Sequence, residues 1–147
     1  MIRRFTENDR ESYIEMAGEF YHSDAVLHPI PDGYFVRTVE EALRSDAYAE
    51  IFLFECDGET AGYGLTAKTY SQEAGGYVWW IEEVYIREKF RSRGLGREFF
   101  HYLEEQKGKE VTRLRLEVEE ENTRAAALYR KLGYEVLNYV QMVKDKV

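Results

Sequence analysis

Cysteine is nearly absent from this 147-residue chain. Cys56 stands alone, so no intrachain disulfide can form, and no pattern of Cys and His suggests a structural zinc or another metal site. Such cysteine usage suits a reducing cytoplasm. Proline is scarce as well, and both residues, Pro29 and Pro31, fall in one segment. No apolar stretch approaches the roughly 18 residues that a membrane-spanning helix needs, and none follows Met1 in the manner of a secretory leader. A basic excess is also missing: 28 acidic residues oppose 20 basic ones, for a formal charge of −8. Nonspecific nucleic-acid binding, which neutralises many phosphates with Lys and Arg, is disfavoured. The same charge solvates a surface and steers cationic small molecules towards it. No linker, repeat or low-complexity stretch divides the chain, so a single domain over residues 1–147 is expected. Hydrophobic residues at 44% can supply its core without staples.

Local patterning gives the order of elements. Ile2, Arg3 and Phe5 read as a first strand, followed by N-cap signals at Thr6-Glu7-Asn8-Asp9 and Asn8-Asp9-Arg10-Glu11. Tyr13, Met16, Ala17, Phe20 and Tyr21 recur at helical spacing. The segment from His28 to Gly33 reads as a loop, and Thr38 with Glu41 as the cap of a short second helix through Ala42 and Leu43. Ile51 to Phe54 is a strand, Asp57-Gly58 a hairpin turn, and Ala61 to about Tyr70 its return strand. Gly75-Gly76 introduces a third long strand, Tyr77 to Ile86. Leu95, Phe99 and Leu103 mark a helix from about Arg93 to Lys107. Leu114, Leu116 and Val118 alternate as a strand, and Ala125, Leu128, Tyr129 and Leu132 mark a last helix stopped by Gly133. Tyr134 to Val143 is expected to close the sheet with one or two strands. The order β-α-α-β-β-β-α-β-α-β-β favours an α/β fold, a mixed sheet with helices on its faces.

The sharpest local signal is Arg91-Ser92-Arg93-Gly94-Leu95-Gly96-Arg97, between a strand and a helix. Glycines let the chain turn tightly there, and the first helical N–H groups lack internal partners. The positive end of the helix and three arginines then favour a diphosphate. Neither a P-loop nor a dinucleotide fingerprint fits, because Arg97-Glu98 follows Gly96 and position 99 is Phe.

The loop resembles the Arg/Gln-x-x-Gly-x-Gly/Ala motif of the acetyl-CoA-dependent N-acetyltransferase (GNAT) superfamily. Two further segments carry the resemblance: Ile81-Glu82-Glu83-Val84-Tyr85-Ile86 before the loop, and Asn122 through Leu128-Tyr129 to Gly133-Tyr134 after it. The family's final Phe is Tyr134 here. The resemblance implies a GNAT-like fold and acetyl-CoA as acetyl donor. It implies that backbone groups near Val84, Tyr85 and Ile86 bind the pantetheine amides, and that the backbone across Arg91, Ser92, Arg93, Gly94, Leu95, Gly96 and Arg97 holds the diphosphate. Asn122 would support the pantetheine arm or the last helix, and Tyr129 would protonate the departing thiolate. It also implies a homodimer.

An amine that attacks a thioester must shed its proton, and a carboxylate can accept it. Glu82, just upstream of the CoA-binding backbone, is the candidate base or ammonium-binding group, and Glu83 a candidate substrate-binding group. The pair resembles the Leu-Glu-Asp of diamine and polyamine acetyltransferases. Strand neighbours face opposite ways, so both acids can enter one pocket only through a bulge. Tyr129 could equally be a core tyrosine with its hydroxyl at the rim, and Asn122 a plain N-cap. Cys56 reads as a structural thiol, His22 and His28 as loop residues, and Glu117 with Glu119, Glu120 and Glu121 as acids before a helix start. Three functions stay open: acetylation of a small primary amine, acetylation of a protein N-terminus or lysine, and CoA binding by a non-catalytic regulator. A closed, acid-lined pocket would favour the first over the second.

Overall fold

Why the central strands are apolar on both faces is visible in a computed structural model that describes residues 1–146. Two units make up the chain, residues 1–116 and the remainder from Glu117. In the first, β1 (Ile2–Arg4), β2 (Ala49–Cys56), β3 (Glu59–Ser71), β4 (Gly76–Ile86) and β5 (Val111–Leu116) form one sheet in sequence order. Neighbours are antiparallel except β4 and β5, which run parallel. Helices α1 (Arg10–Tyr21) and α2 (Gly33–Arg44) precede β2, and α3 (Leu95–Gln106) connects β4 to β5.

Alternation in β2 shows how the layers are filled. Ile51 and Leu53 pack with Tyr13, Met16 and Ala17 of α1 and with Phe35 and Val39 of α2. Phe52 and Phe54 turn to the opposite face and meet Phe99 of α3, at ring separations of 5.6 and 5.0 Å. A strand covered on both sides must be apolar at every position, which is why Ile51-Phe52-Leu53-Phe54 reads as a continuous run. Gly64 of β3 makes the seat for Phe99, because a Cβ there would lie 2.3 Å from the ring. Emptying that seat by Phe99→Ala would cost about 3–5 kcal/mol.

Helix α2 begins at Gly33, well before the Thr38 expected to cap it. Thr38 lies inside the helix, where its hydroxyl donates to the Tyr34 carbonyl at 3.0 Å. The Thr38–Glu41 pair was a local match without a helix start. Phe35 and Val39, four residues apart and both buried, extend the apolar face that pulls the helix onto the sheet.

At the other end of the sheet, Asp9 ties β1 to the entry of α1. Its carboxylate accepts from Arg3 Nη1 and Nη2 at 2.8 Å each and from the Thr6 amide at 2.8 Å. The Arg3 guanidinium, working against partial burial, holds this carboxyl down at about 2.

The second unit holds α4 (Thr123–Lys131), capped by Asn122, whose Oδ1 accepts from the Ala125 amide at 3.2 Å. Gly133 ends it in the left-handed region at φ 94°. Residues 134–146 carry no strand, contrary to the expected closing pair. Alternation is a local signal, whereas a strand needs a hydrogen-bonded neighbour, and these described residues have no ladder.

Because the Asp9 carboxyl is depressed relative to the unfolded chain, its contribution is present above about pH 4 and disappears as pH falls towards 2. Asp9→Asn should lower stability by about 2 kcal/mol at neutral pH. Urea unfolding across pH 2–7 should give a shallower acid-side decline for this variant than for the wild type.

Candidate active site

Two strand irregularities set the site. Across β3 and β4, Leu65 pairs with Glu83 but Thr66 pairs with Ile81, so Glu82 is an extra residue opposite no partner. Such a bulge re-aims side chains. Here it gives both acids access to the side of the sheet covered by α1 and α2. Glu83 accepts the Tyr21 hydroxyl on Oε2 at 2.5 Å and the Tyr63 hydroxyl on Oε1 at 2.7 Å. Glu82 lines a cavity of about 270 Å³ with Leu65 and Ala67 of β3 and Arg37, Thr38 and Glu41 of α2.

The electrostatics agree with this geometry. Burial, then the hydrogen bond and charge of Glu83, then the charge of Glu82, push the Tyr21 hydroxyl well above the ordinary phenol value. Burial first and the Glu83 charge next do the same for Tyr63. Both phenols therefore stay protonated donors, and Glu83 is held by hydroxyls, with no cationic side chain against it among the described residues. Nearby, Glu19 of α1 accepts from the Tyr85 hydroxyl at 2.9 Å and from Arg87 Nη2 at 3.0 Å, which pins the end of α1 to β4.

The second irregularity lies on the other edge of β4. Its ladder with β5 runs from the Tyr77–Val111 pair to the Ile81–Leu116 pair and stops. Residues Glu82 to Ile86 continue beside β3 alone, with Val84, Tyr85 and Ile86 opposite Gly64, Tyr63 and Gly62. The β5-facing backbone groups of this stretch have no ladder partner among the described residues, so an extended amide chain could hydrogen-bond there. The Ile86 carbonyl is the exception, since Arg91 Nε donates to it at 2.9 Å.

Beyond β4 a short turn, Glu88–Phe90, leads into the glycine loop. Ser92 and Gly94 take left-handed conformations at φ 62° and 82°. Gly94 is the residue before α3, and the first helical bond runs from the Glu98 amide to its carbonyl at 2.9 Å. The Leu95, Gly96 and Arg97 amides have no carbonyl one turn back and remain available to an anion. Of the three loop arginines, Arg91 is turned to the Ile86 carbonyl. Arg93 donates to Asp57 at 2.8 Å and to the Cys56 sulfur at 3.6 Å, away from the loop. Arg97 is exposed. Backbone more than guanidinium is therefore left available to an anion at this loop.

In the second unit, Tyr129 is half-buried, with its ring 6.1 Å from that of Tyr134. Burial raises its hydroxyl above the ordinary phenol value. Trp79 is a core residue at 3% exposure, whereas Trp80 is half-buried under the Arg115 guanidinium. Sequence reasoning missed Tyr21, Tyr63 and Arg37. Tyr21 had been recognised only as part of an apolar helical stripe, and nothing local marks Arg37.

A strand thus leaves its parallel neighbour and is followed by a left-handed loop that opens a helix. The chain matches the Acetyltransferase (GNAT) family over residues 11–134, and it belongs to that family. It is 32% identical over 147 residues to a thialysine N-epsilon-acetyltransferase of Bos taurus, covering 90% of this chain and 82% of that one. Among solved structures it superposes on a possible acetyltransferase from Clostridium difficile 630, with a TM-score of 0.84, 18% identity, and coverage of 100% and 97% of the two chains. It superposes equally on the aminoglycoside acetyltransferase AAC(6')-Iy bound to a CoA bisubstrate analogue, with a TM-score of 0.82, 18% identity, and coverage of 100% and 98%. The protein is an acetyl-CoA-dependent acetyltransferase that transfers an acetyl group to an amine. No helix among the described residues is long and apolar enough to cross a membrane.

Gly94 must sit in the left-handed region, where a Cβ costs about 1–2 kcal/mol. Gly94→Ala should lower the unfolding free energy by about that amount and weaken calorimetric binding of CoA. Unchanged CoA affinity would remove the loop conformation from the binding site.

Proposed function

We propose that the whole chain, residues 1–147, acts as one N-acetyltransferase domain that acetylates a small primary amine by direct attack in a ternary complex. The observation that carries this reading is the bulge at Glu82, which gives two carboxylates access to one side of the sheet just where β4 parts from β5. Acetyl-CoA supplies the acetyl thioester. The open edge at Val84, Tyr85 and Ile86 suits its pantetheine amides, and the backbone from Arg91 to Arg97 suits its diphosphate. Glu82 takes a proton from the substrate ammonium. The amine nitrogen bonds the acetyl carbon, the carbon–sulfur bond breaks, and the Tyr129 hydroxyl gives its proton to the departing thiolate. Burial keeps the Tyr129 hydroxyl protonated, so it holds a proton to give.

Glu83 binds the cationic end of the substrate. Its carboxylate is organised by two phenols and faces no basic side chain among the described residues, so an ammonium group can complete it. Asn122 caps α4, which supports a positioning role for Tyr129 seven residues on. The cavity of about 270 Å³ beside Glu82 has room for a small acceptor. Acceptors of the thialysine or polyamine type carry the required terminal amine, and the name of the bovine relative supports the former. The same reading includes a cytoplasmic homodimer: the lone thiol suits a reducing compartment, and light scattering at micromolar concentration decides the subunit count.

Release of CoA from acetyl-CoA, measured with polyamines, amino acids, aminoglycosides and peptides, tests the reading. It expects turnover with a small alkylamine, and turnover with peptides alone would overturn it. Tyr129→Phe should lower kcat by roughly 10-fold or more with acetyl-CoA affinity nearly unchanged. Glu82→Gln should lower kcat/KM by about 10–100-fold at pH 7, and the gap should narrow as pH nears the amine's own pKa of about 10.4. A gap constant with pH would reassign Glu82 to substrate placement.

A further inference from the structure

The cavity between α2 and the bulged β4 contains charge of both signs, and one of its charges is left unanswered. Arg37 lines it from α2, and Glu82 lines it from β4. Its guanidinium stacks over the Tyr34 ring at 5.1 Å and pairs with no carboxylate among the described residues. Stacking leaves the edge of the guanidinium fork free and limits its motion. Neither acid of the same helix within one turn pairs with Arg37: Glu40 is held by Arg10, and Glu41 is held by Arg44. Both Glu41 oxygens accept from Arg44, at 2.5 and 3.0 Å. Leu65 and Ala67 give the cavity apolar walls, suited to a chain of methylene or thioether groups.

A polyamine has cationic groups at both ends and would set one of them against Arg37. A molecule with an ammonium at one end of an apolar stem and a carboxylate at the other meets both walls correctly. We infer that Arg37 binds a carboxylate of the acceptor and is the residue that selects an amino acid with a terminal side-chain amine over a polyamine. This inference rests on the amine-acetyltransferase reading above and assigns its acceptor class. Such a substrate still has a net positive charge at neutral pH, so the −8 charge of the protein attracts it. The bidentate fit of guanidinium to carboxylate is the specificity device.

Acetylation rates should be measured for three acceptors: thialysine, its methyl ester, and the diamine that remains when its carboxylate is removed. Wild-type protein should prefer thialysine over the other two by about 10–100-fold in kcat/KM, the range of a charge-assisted hydrogen bond. Arg37→Gln should erase this preference through KM, with kcat little changed and the diamine rate equal or higher. Arg37→Lys should restore it only in part. The ester comparison uses unaltered protein, so it reads the contact even if a variant fails to fold. Acetylation of the diamine with no preference for the free carboxylate would overturn this inference alone. Failure to acetylate any small amine would overturn the function proposed above as well.

Discussion

The insertion of Glu82 into β4, opposite Leu65 and Thr66, is the constraint on which the site depends. In a regular strand Glu82 and Glu83 would face opposite sides, and one of them would be lost to the α1–α2 face. The extra residue breaks that alternation and bends the strand. On the other edge of β4 the ladder to β5 ends at Ile81, one residue before the bulge. The bulge and the start of the open backbone edge thus fall at adjacent residues of β4.

Around this point the protein uses phenols where a salt bridge would silence the carboxylate. An arginine beside Glu83 would satisfy it and leave nothing for a substrate. Tyr21 and Tyr63 orient it instead, and burial keeps both hydroxyls protonated, so both remain donors to the carboxylate. The arginine-rich neighbourhood is arranged the opposite way. Arg87 is matched by Glu19 and Arg93 by Asp57, which leaves the backbone amides at the start of α3 as the groups open to an anion. Arg37 departs from this pattern, and its unmatched charge is what distinguishes the acceptor cavity.

Much of this was legible in the sequence where a signal is local. Ile51 to Phe54 announced a strand, Leu95, Phe99 and Leu103 announced α3, and Gly94 marked a tight turn into it. Asn122 capped the last helix as its spacing suggested. The need for a bulge between Glu82 and Glu83 could be stated, but its presence could not, because a register shift is decided by the partner strand. Tyr63 and Tyr21 were hidden for the same reason: they lie 20 and 62 residues from the carboxylate they hold. Helix α2 was read as too short because a chance Thr38–Glu41 match imitated its start, whereas the helix runs Gly33–Arg44 with Phe35 and Val39 buried. The alternation after Tyr134 suggested strands that have no ladder among the described residues.

The open edge of β4 is most directly tested by amide hydrogen exchange, resolved by residue, with and without CoA. Amides from Tyr77 to Ile81 should be protected in both states, being enclosed by ladders on either side. Between Glu82 and Ile86, those not bonded to β3 should exchange quickly in the free protein and slow markedly when CoA is added. Full protection of that stretch in the free protein, or no change on adding saturating CoA, would contradict a donor site on the parted strand.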